Sequence, residues 1–169
     1  MRCRLTCPAL IDMLDKSEPT DDLAVFLGRI VRVVEASMDG TSGALYFIFL
    51  QALTRNIRGQ STGQSEDIQV GVWARALEAS IQELAKYTPA QPGDRTLVDA
   101  LHPFVDTLSR TGSVDQAAAA AAEGSKKTMS MKASLGRSVY VGGKGWQEVP
   151  DPGAHGLSEL LLGLAQGLQ

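Results

Sequence analysis

Thr20-Asp21-Asp22-Leu23-Ala24-Val25-Phe26-Leu27-Gly28-Arg29-Ile30-Val31-Arg32-Val33-Val34 is the stretch on which the fold class turns. Its valines and isoleucines suit a strand as well as a helix. However, Leu23, Phe26, Leu27, Ile30, Val31 and Val34 recur at helical spacing, and the run is long for a strand. Thr20, Asp21 and Asp22 stand in front of it as cap residues. The spacing predicts a buried helix.

The rest of the chain reads the same way. Pro8 to Lys16 is a short helical candidate before this run. A third helix is expected from Thr41 or Ser42, carrying Leu45, Phe49 and Leu53. Beyond the polar loop from Arg58 to Gln64, the residues Ile68, Val72, Ala76, Ala79 and Leu84 mark a long fourth one. Thr96 to Ser109 is a fifth, which Pro103 should kink or end in its first part. Ser113 with Gln116 forms a capping box for an alanine-rich sixth, whose small side chains suit close packing on its neighbours. Residues 134–150 are glycine-rich and irregular, and Pro152 to Leu168 forms the last helix. No strand alternation competes, so the fold class is all-α, a bundle or barrel of about six to seven antiparallel helices.

Composition narrows the function classes. The 169 residues fit one domain with a sizeable core. A net charge of −3, with no stripe of Lys or Arg, argues against nucleic acid as a partner. Cys3 and Cys7 are too few for a disulfide scaffold, and His102 and His155 lie far from them and from each other. No metal site is therefore expected. Asp12 interrupts the N-terminal apolar run too early for a signal peptide, and Ala44 to Leu50 is too short to span a bilayer. The reading is a cytoplasmic protein without a membrane partner.

Three loops carry residues with chemistry. Asp39-Gly40-Thr41-Ser42-Gly43 joins flexible glycines and hydroxyls to a helix start, which can offer backbone N–H groups and a positive helix end to a phosphate. Taken alone, these residues fit a helix N-cap better. Gln91-Pro92-Gly93-Asp94-Arg95-Thr96 reads as a tight turn, with Asp94 placed to satisfy the first amides of the helix that follows. Gly136-Arg137-Ser138-Val139-Tyr140 presents a guanidinium able to grip phosphate oxygens with two bonds, although a loop Arg is ordinarily a surface residue. Further on, Asp151-Pro152-Gly153 has the form of an N-cap followed by proline at the first helical position.

In this order and spacing, these segments and Leu97-Val98-Asp99-Ala100-Leu101 resemble the nucleotide-binding L domain of the dihydroxyacetone kinases, nearer to the fungal and animal single-chain form. The resemblance covers residues 21–169, leaving 1–20 as an N-terminal segment without a match. It implies a helical barrel that binds ATP or ADP and contributes to phosphoryl transfer from ATP to dihydroxyacetone in glycerol metabolism. The nucleotide-binding positions it implies are Gly40, Thr41, Ser42, Thr88, Leu97, Arg137, Asp151, Pro152 and Gly153. Of these, Leu97 would offer an apolar face to the adenine. Trp146 has two open readings, packing under the nucleotide or anchoring its loop.

The resemblance departs from the family in three respects. Asp39 stands where glycine is usual, and a carboxylate beside phosphates is repulsive unless a cation intervenes. The family holds Mg²⁺ with aspartates of a Gly-Asp-x-Asp segment upstream of the Gly-Thr-Ser-Gly loop. Asp12, Asp15, Glu18, Asp21 and Asp22 lack that context, so Mg²⁺ is expected of the family without ligands here. The partner implied by the resemblance, a separate dihydroxyacetone-binding kinase domain, has no counterpart in these residues. The expectation is the C-terminal part of a kinase, truncated at its N-terminus, with no catalytic residue of its own and inactive in isolation. Two alternatives stand beside it. One is a non-catalytic helical module that binds a partner protein, or nucleotide without turnover. The other is a carrier of a hydrophobic ligand inside the barrel.

Overall fold

The computed structural model describes residues 3–60, 70–135, 139 and 148–169, with side chains described from Thr6. The elements are α1 (Cys3–Lys16), α2 (Leu23–Ser37), α3 (Gly40–Gln60), α4 (Val70–Leu84), α5 (Val98–Thr111), α6 (Val114–Lys127), a 3-10 turn (Thr128–Ser130) and α7 (Pro152–Gly167). All are helical among the described residues, as the spacing predicts. They fall into two compact units, Met1–Tyr87 and Thr88–Gln169. No helix among the described residues is long and apolar enough to cross a membrane.

In the first unit each helix packs on the next, α1 on α2, α2 on α3 and α3 on α4. The Asp22 carboxylate caps α2 by accepting from the Val25 amide at 3.0 Å. Ala24, Leu27, Val31 and Val34 then form its buried stripe, the three- and four-residue steps of one helix face. Ser37, in the last turn of α2, donates to Thr6 Oγ1 of α1 at 3.1 Å. The core of α3 is Ala52, Leu53 and Ile57, and Asn56 reaches Ser80 of α4. Helix α1 begins at Cys3, earlier than the Pro8 start suggested by sequence. Pro8 lies inside it, at the sixth helical residue, where the ladder lacks one N–H.

The second unit is built on α6, which packs against both α5 and α7. Ala117, Ala118 and Ala121 are wholly buried, so the alanine run acts as a packing surface. Ser113 caps α6 through the Gln116 amide at 3.2 Å, the predicted cap. Helix α5 buries Leu101, Phe104, Val105 and Leu108, and burial of a side chain such as Phe104 stabilises by about 1.5–3 kcal/mol.

Of the two outcomes expected at Pro103, an end to the first part of the helix does not occur: α5 runs from Val98 to Thr111. A proline there cannot donate to the Asp99 carbonyl one turn earlier. The backbone of α6 approaches that same carbonyl. A Cβ on Gly124 would fall inside van der Waals contact of the Asp99 oxygen and lie 3.1 Å from Pro103 Cγ. Packing on α6 holds the helix together where its ladder loses a rung.

Candidate functional site around the starts of α5 and α7

The turn before α5 is organised by two carboxylates, Asp99 and Asp94. Asp99, only 5% exposed, accepts from the Gly93 amide at 2.6 Å and from the Thr96 amide at 2.8 Å. It closes the turn and anchors the entry to the helix. That is the task the sequence assigned to Asp94. The Asp94 carboxylate instead accepts from the Gln91 amide at 2.8 Å and from the Ser134 hydroxyl at 2.6 Å. The reason is positional: Asp99 lies inside the first helical turn, with its side chain directed back over the turn, whereas Asp94 precedes the turn's last residue. These two bonds, the Ser134 one foremost, hold the Asp94 carboxyl below its ordinary range.

Arg95 is 3% exposed and adopts a φ of +59°. This left-handed conformation costs a non-glycine residue roughly 1–2 kcal/mol. Its Nη2 donates to the Val149 carbonyl at 2.9 Å, across 54 residues of chain.

The start of α7 is fixed from two sides. Asp151, 6% exposed, caps the helix through the Ala154 amide at 2.9 Å, with Pro152 in the first turn. The Asp151 amide donates to Thr128 Oγ1 at 2.7 Å, and the Thr128 hydroxyl donates in turn to the Ser125 carbonyl at the end of α6. Gly153 sits beside α5: a Cβ there would lie 3.5 Å from Leu97 Cβ and 3.1 Å from Asp151 Oδ1.

The expected site residues are distributed as follows. Leu97, Asp151 and Gly153 are brought together, with Pro152 beside them in the chain. Leu97 is 8% exposed, so it offers a base little surface and serves mainly as the floor under Gly153. Thr88 is half-buried and accepts from the Ala90 amide at 3.2 Å. Gly40, Thr41 and Ser42 are exposed at the start of α3, in the other unit, and Gly40 has a φ of +76°. The helix therefore begins one residue before Thr41. Arg137, with its neighbours Gly136 and Ser138, lies outside the described residues, as does Trp146.

The first amides of α5 are already taken. Val98 N–H meets Thr96 Oγ1, Asp99 N–H meets the Thr96 carbonyl, and Ala100 N–H meets the Leu97 carbonyl. What this end can offer an anion is its dipole. Among the described residues no three of His, Cys, Asp and Glu gather as a metal-ligand set.

Sequence reasoning passed over Asp99, Arg95, Thr128 and Gly43. An acid three residues after Thr96 and six after Gly93 was a legible signal for Asp99. Nothing local marks Arg95 or Thr128, whose partners are distant in sequence. Gly43 is required because a Cβ there would collide with the Met38 carbonyl.

The DAK2 domain family model matches residues 2–166. The chain belongs to the DAK2 domain family. The matched span takes in α1 as well as the part from residue 21 that the motifs indicated. This DAK2 domain is 39% identical over 168 residues to a dihydroxyacetone kinase of Pichia angusta, covering 94% of this chain and 27% of the relative. It is 40% identical over 149 residues to dihydroxyacetone kinase 2 of Saccharomyces cerevisiae, covering 85% of this chain and 25% of that protein. Similarity extends to the human triokinase/FMN cyclase at 29% identity, covering 95% of this chain and 28% of the enzyme. The chain thus spans about a quarter of the length of these relatives. Among solved structures, the dihydroxyacetone kinase of C. freundii superimposes with a TM-score of 0.74 at 24% identity, covering 96% of this chain and 27% of that one. The same enzyme in complex with AMP-PNP and Mg²⁺ gives a TM-score of 0.71. These likenesses establish the helical fold of the DAK2 domain.

Proposed function

We propose that this DAK2 domain is the nucleotide-binding part of a dihydroxyacetone kinase and contributes to phosphoryl transfer from ATP to dihydroxyacetone. The observation that carries the reading is the contact of Gly153 with Leu97, which sets the start of α7 beside the start of α5. Two helix N-termini side by side bring their positive dipole ends to one place where a polyphosphate can bind, offset in part by the Asp99 and Asp151 carboxylates. Gly153, without a side chain, lets the start of α7 pack closely on Leu97 and Asp151. That the relatives are dihydroxyacetone kinases supports the same reading.

The proposed contacts in this unit are Thr88, Leu97, Asp151, Pro152 and Gly153. The resemblance of their motifs alone proposes Gly40, Thr41 and Ser42 of the first unit, and Arg137, as nucleotide contacts. The partner is a dihydroxyacetone-binding domain, and the location cytoplasmic.

Calorimetric titration of the chain with ADP and AMP-PNP, followed by a kinase assay with and without an added dihydroxyacetone-binding domain, tests the proposal. Weak nucleotide binding by the chain, and phosphoryl transfer only in the mixture, is the expected result. Absence of binding to either nucleotide would sink it. Binding with silence in the mixture would identify a nucleotide module without turnover.

A further inference from the structure

Asp94 and Arg95 are consecutive residues whose side chains leave the same turn and reach different parts of the second unit. Asp94 takes the Ser134 hydroxyl at 2.6 Å, and Arg95 takes the Val149 carbonyl at 2.9 Å. Ser134 follows the 3-10 turn, and Val149 stands two residues before the cap of α7. One dipeptide thus fastens two distant chain segments to the entry of α5.

The conformation of Arg95 is part of the case. A φ of +59° is one that glycine adopts freely and other residues avoid. A surface turn gains nothing from an arginine in that state. Here the side chain is 3% exposed and its guanidinium holds a main-chain carbonyl. The lowered pKa of Asp94, caused first by the Ser134 hydroxyl and then by the Gln91 amide, agrees with a carboxylate that is charged while it holds both.

We propose that Asp94 and Arg95 are positioning residues of the nucleotide site: by clasping Ser134 and Val149 they hold the approach to α7, and with it Asp151 and Gly153, against the start of α5. This rests on the nucleotide-binding reading above. Neither residue touches the nucleotide in this scheme. They act through the placement of the α7 N-terminus, so loosening the clasp weakens binding without removing a contact.

The test uses the whole chain with Arg95→Gly, Arg95→Lys and Asp94→Asn. Arg95→Gly suits it best, because glycine relieves the left-handed backbone while deleting the guanidinium, so the variant should fold. Two quantities are read: ADP affinity by calorimetry, and amide hydrogen exchange of residues 148–154 without nucleotide. The expected result for Arg95→Gly is faster exchange across 148–154 and ADP binding weaker by about tenfold, the scale of one lost hydrogen bond to a charged group. Arg95→Lys should restore part of both, since an ammonium can reach a carbonyl without the planar fork. Unchanged exchange in Arg95→Gly overturns the clasp, whatever the nucleotide does. Faster exchange with unchanged ADP affinity overturns the positioning role and leaves a purely structural tie. Loss of melting temperature with unchanged affinity does the same. Wild-type protein that binds no ADP overturns the nucleotide reading and the positioning role with it, an outcome the exchange data alone do not produce.

Discussion

The backbone of Gly124 in α6 lies against the carbonyl oxygen of Asp99 in α5, so closely that no side chain fits between them. The carbonyl it meets is the one that Pro103 cannot serve. The same Asp99 closes the turn before α5 with its carboxylate. The packing of the α5–α6 pair and the shape of the candidate site therefore share one residue.

From this contact, Gly124→Ala should destabilise the protein by about 1–3 kcal/mol, the usual range for forcing extra volume into a packed contact. Gly156→Ala is the control, because a Cβ there meets nothing within 4 Å. It should stabilise by roughly 0.5–1 kcal/mol through helix propensity and reduced freedom of the unfolded chain. Denaturant unfolding of the two variants beside wild type decides the matter. Equal effects would mean that α6 does not approach α5 as described.

The cap of α7 offers a second pair. Asp151→Ala removes the acceptor of the Ala154 amide and should cost about 0.5–2 kcal/mol, whereas Asp151→Asn should retain most of it. Thr128→Val leaves the buried Asp151 amide without its acceptor and should cost about 1–3 kcal/mol. Thermal melts of all three, with an Asn variant as unstable as the Ala one, would show that the cap is not what holds the helix start.

Asp94 gives a dependence on pH. Its folded pKa lies below the ordinary 3.8, because the charged form is held by Ser134 and Gln91. A carboxyl depressed in this way contributes stability that is fully present above the unfolded value and lost as pH falls through the folded one. The stability difference between wild type and Asp94→Asn should therefore be flat near neutrality and shrink below pH 3.8. A difference that instead changes between neutrality and mildly acidic pH would assign the effect to another group.

Arg137 carries the prediction that depends most on the proposed function. Arg137→Ala should weaken ADP binding by about 1.5–3 kcal/mol, the scale of a hydrogen bond to a charged group, with Arg137→Lys recovering part. Melting temperature should barely move. Titration and a melting curve for each variant separate the alternatives: unchanged affinity removes Arg137 from the site, and a large drop in stability makes it structural.

The sequence by itself determined most of the helices and three of their caps, because those are local, although α1 begins before Pro8 and α3 runs on to Gln60 through the start of the loop expected from Arg58. Asp22, Ser113 and Asp151 each bond an amide three residues ahead, and the buried stripe of α2 repeats within one turn. Motif order was enough to place Leu97 and Gly153 in one neighbourhood, since a family resemblance carries tertiary information that periodicity lacks. Only the tertiary structure decided that the Asp99 carbonyl beside Pro103 meets Gly124, that Asp94 takes the Ser134 hydroxyl, and that Arg95 takes up a left-handed backbone to hold Val149. These depend on partners in other elements: Gly124 on α6, Ser134 beyond the 3-10 turn, Val149 before α7. A helix propensity or a cap is settled by the free energy of neighbouring residues in the chain. A contact across 40 or 54 residues is settled only when packing brings the two segments together, and nothing in either segment announces the other.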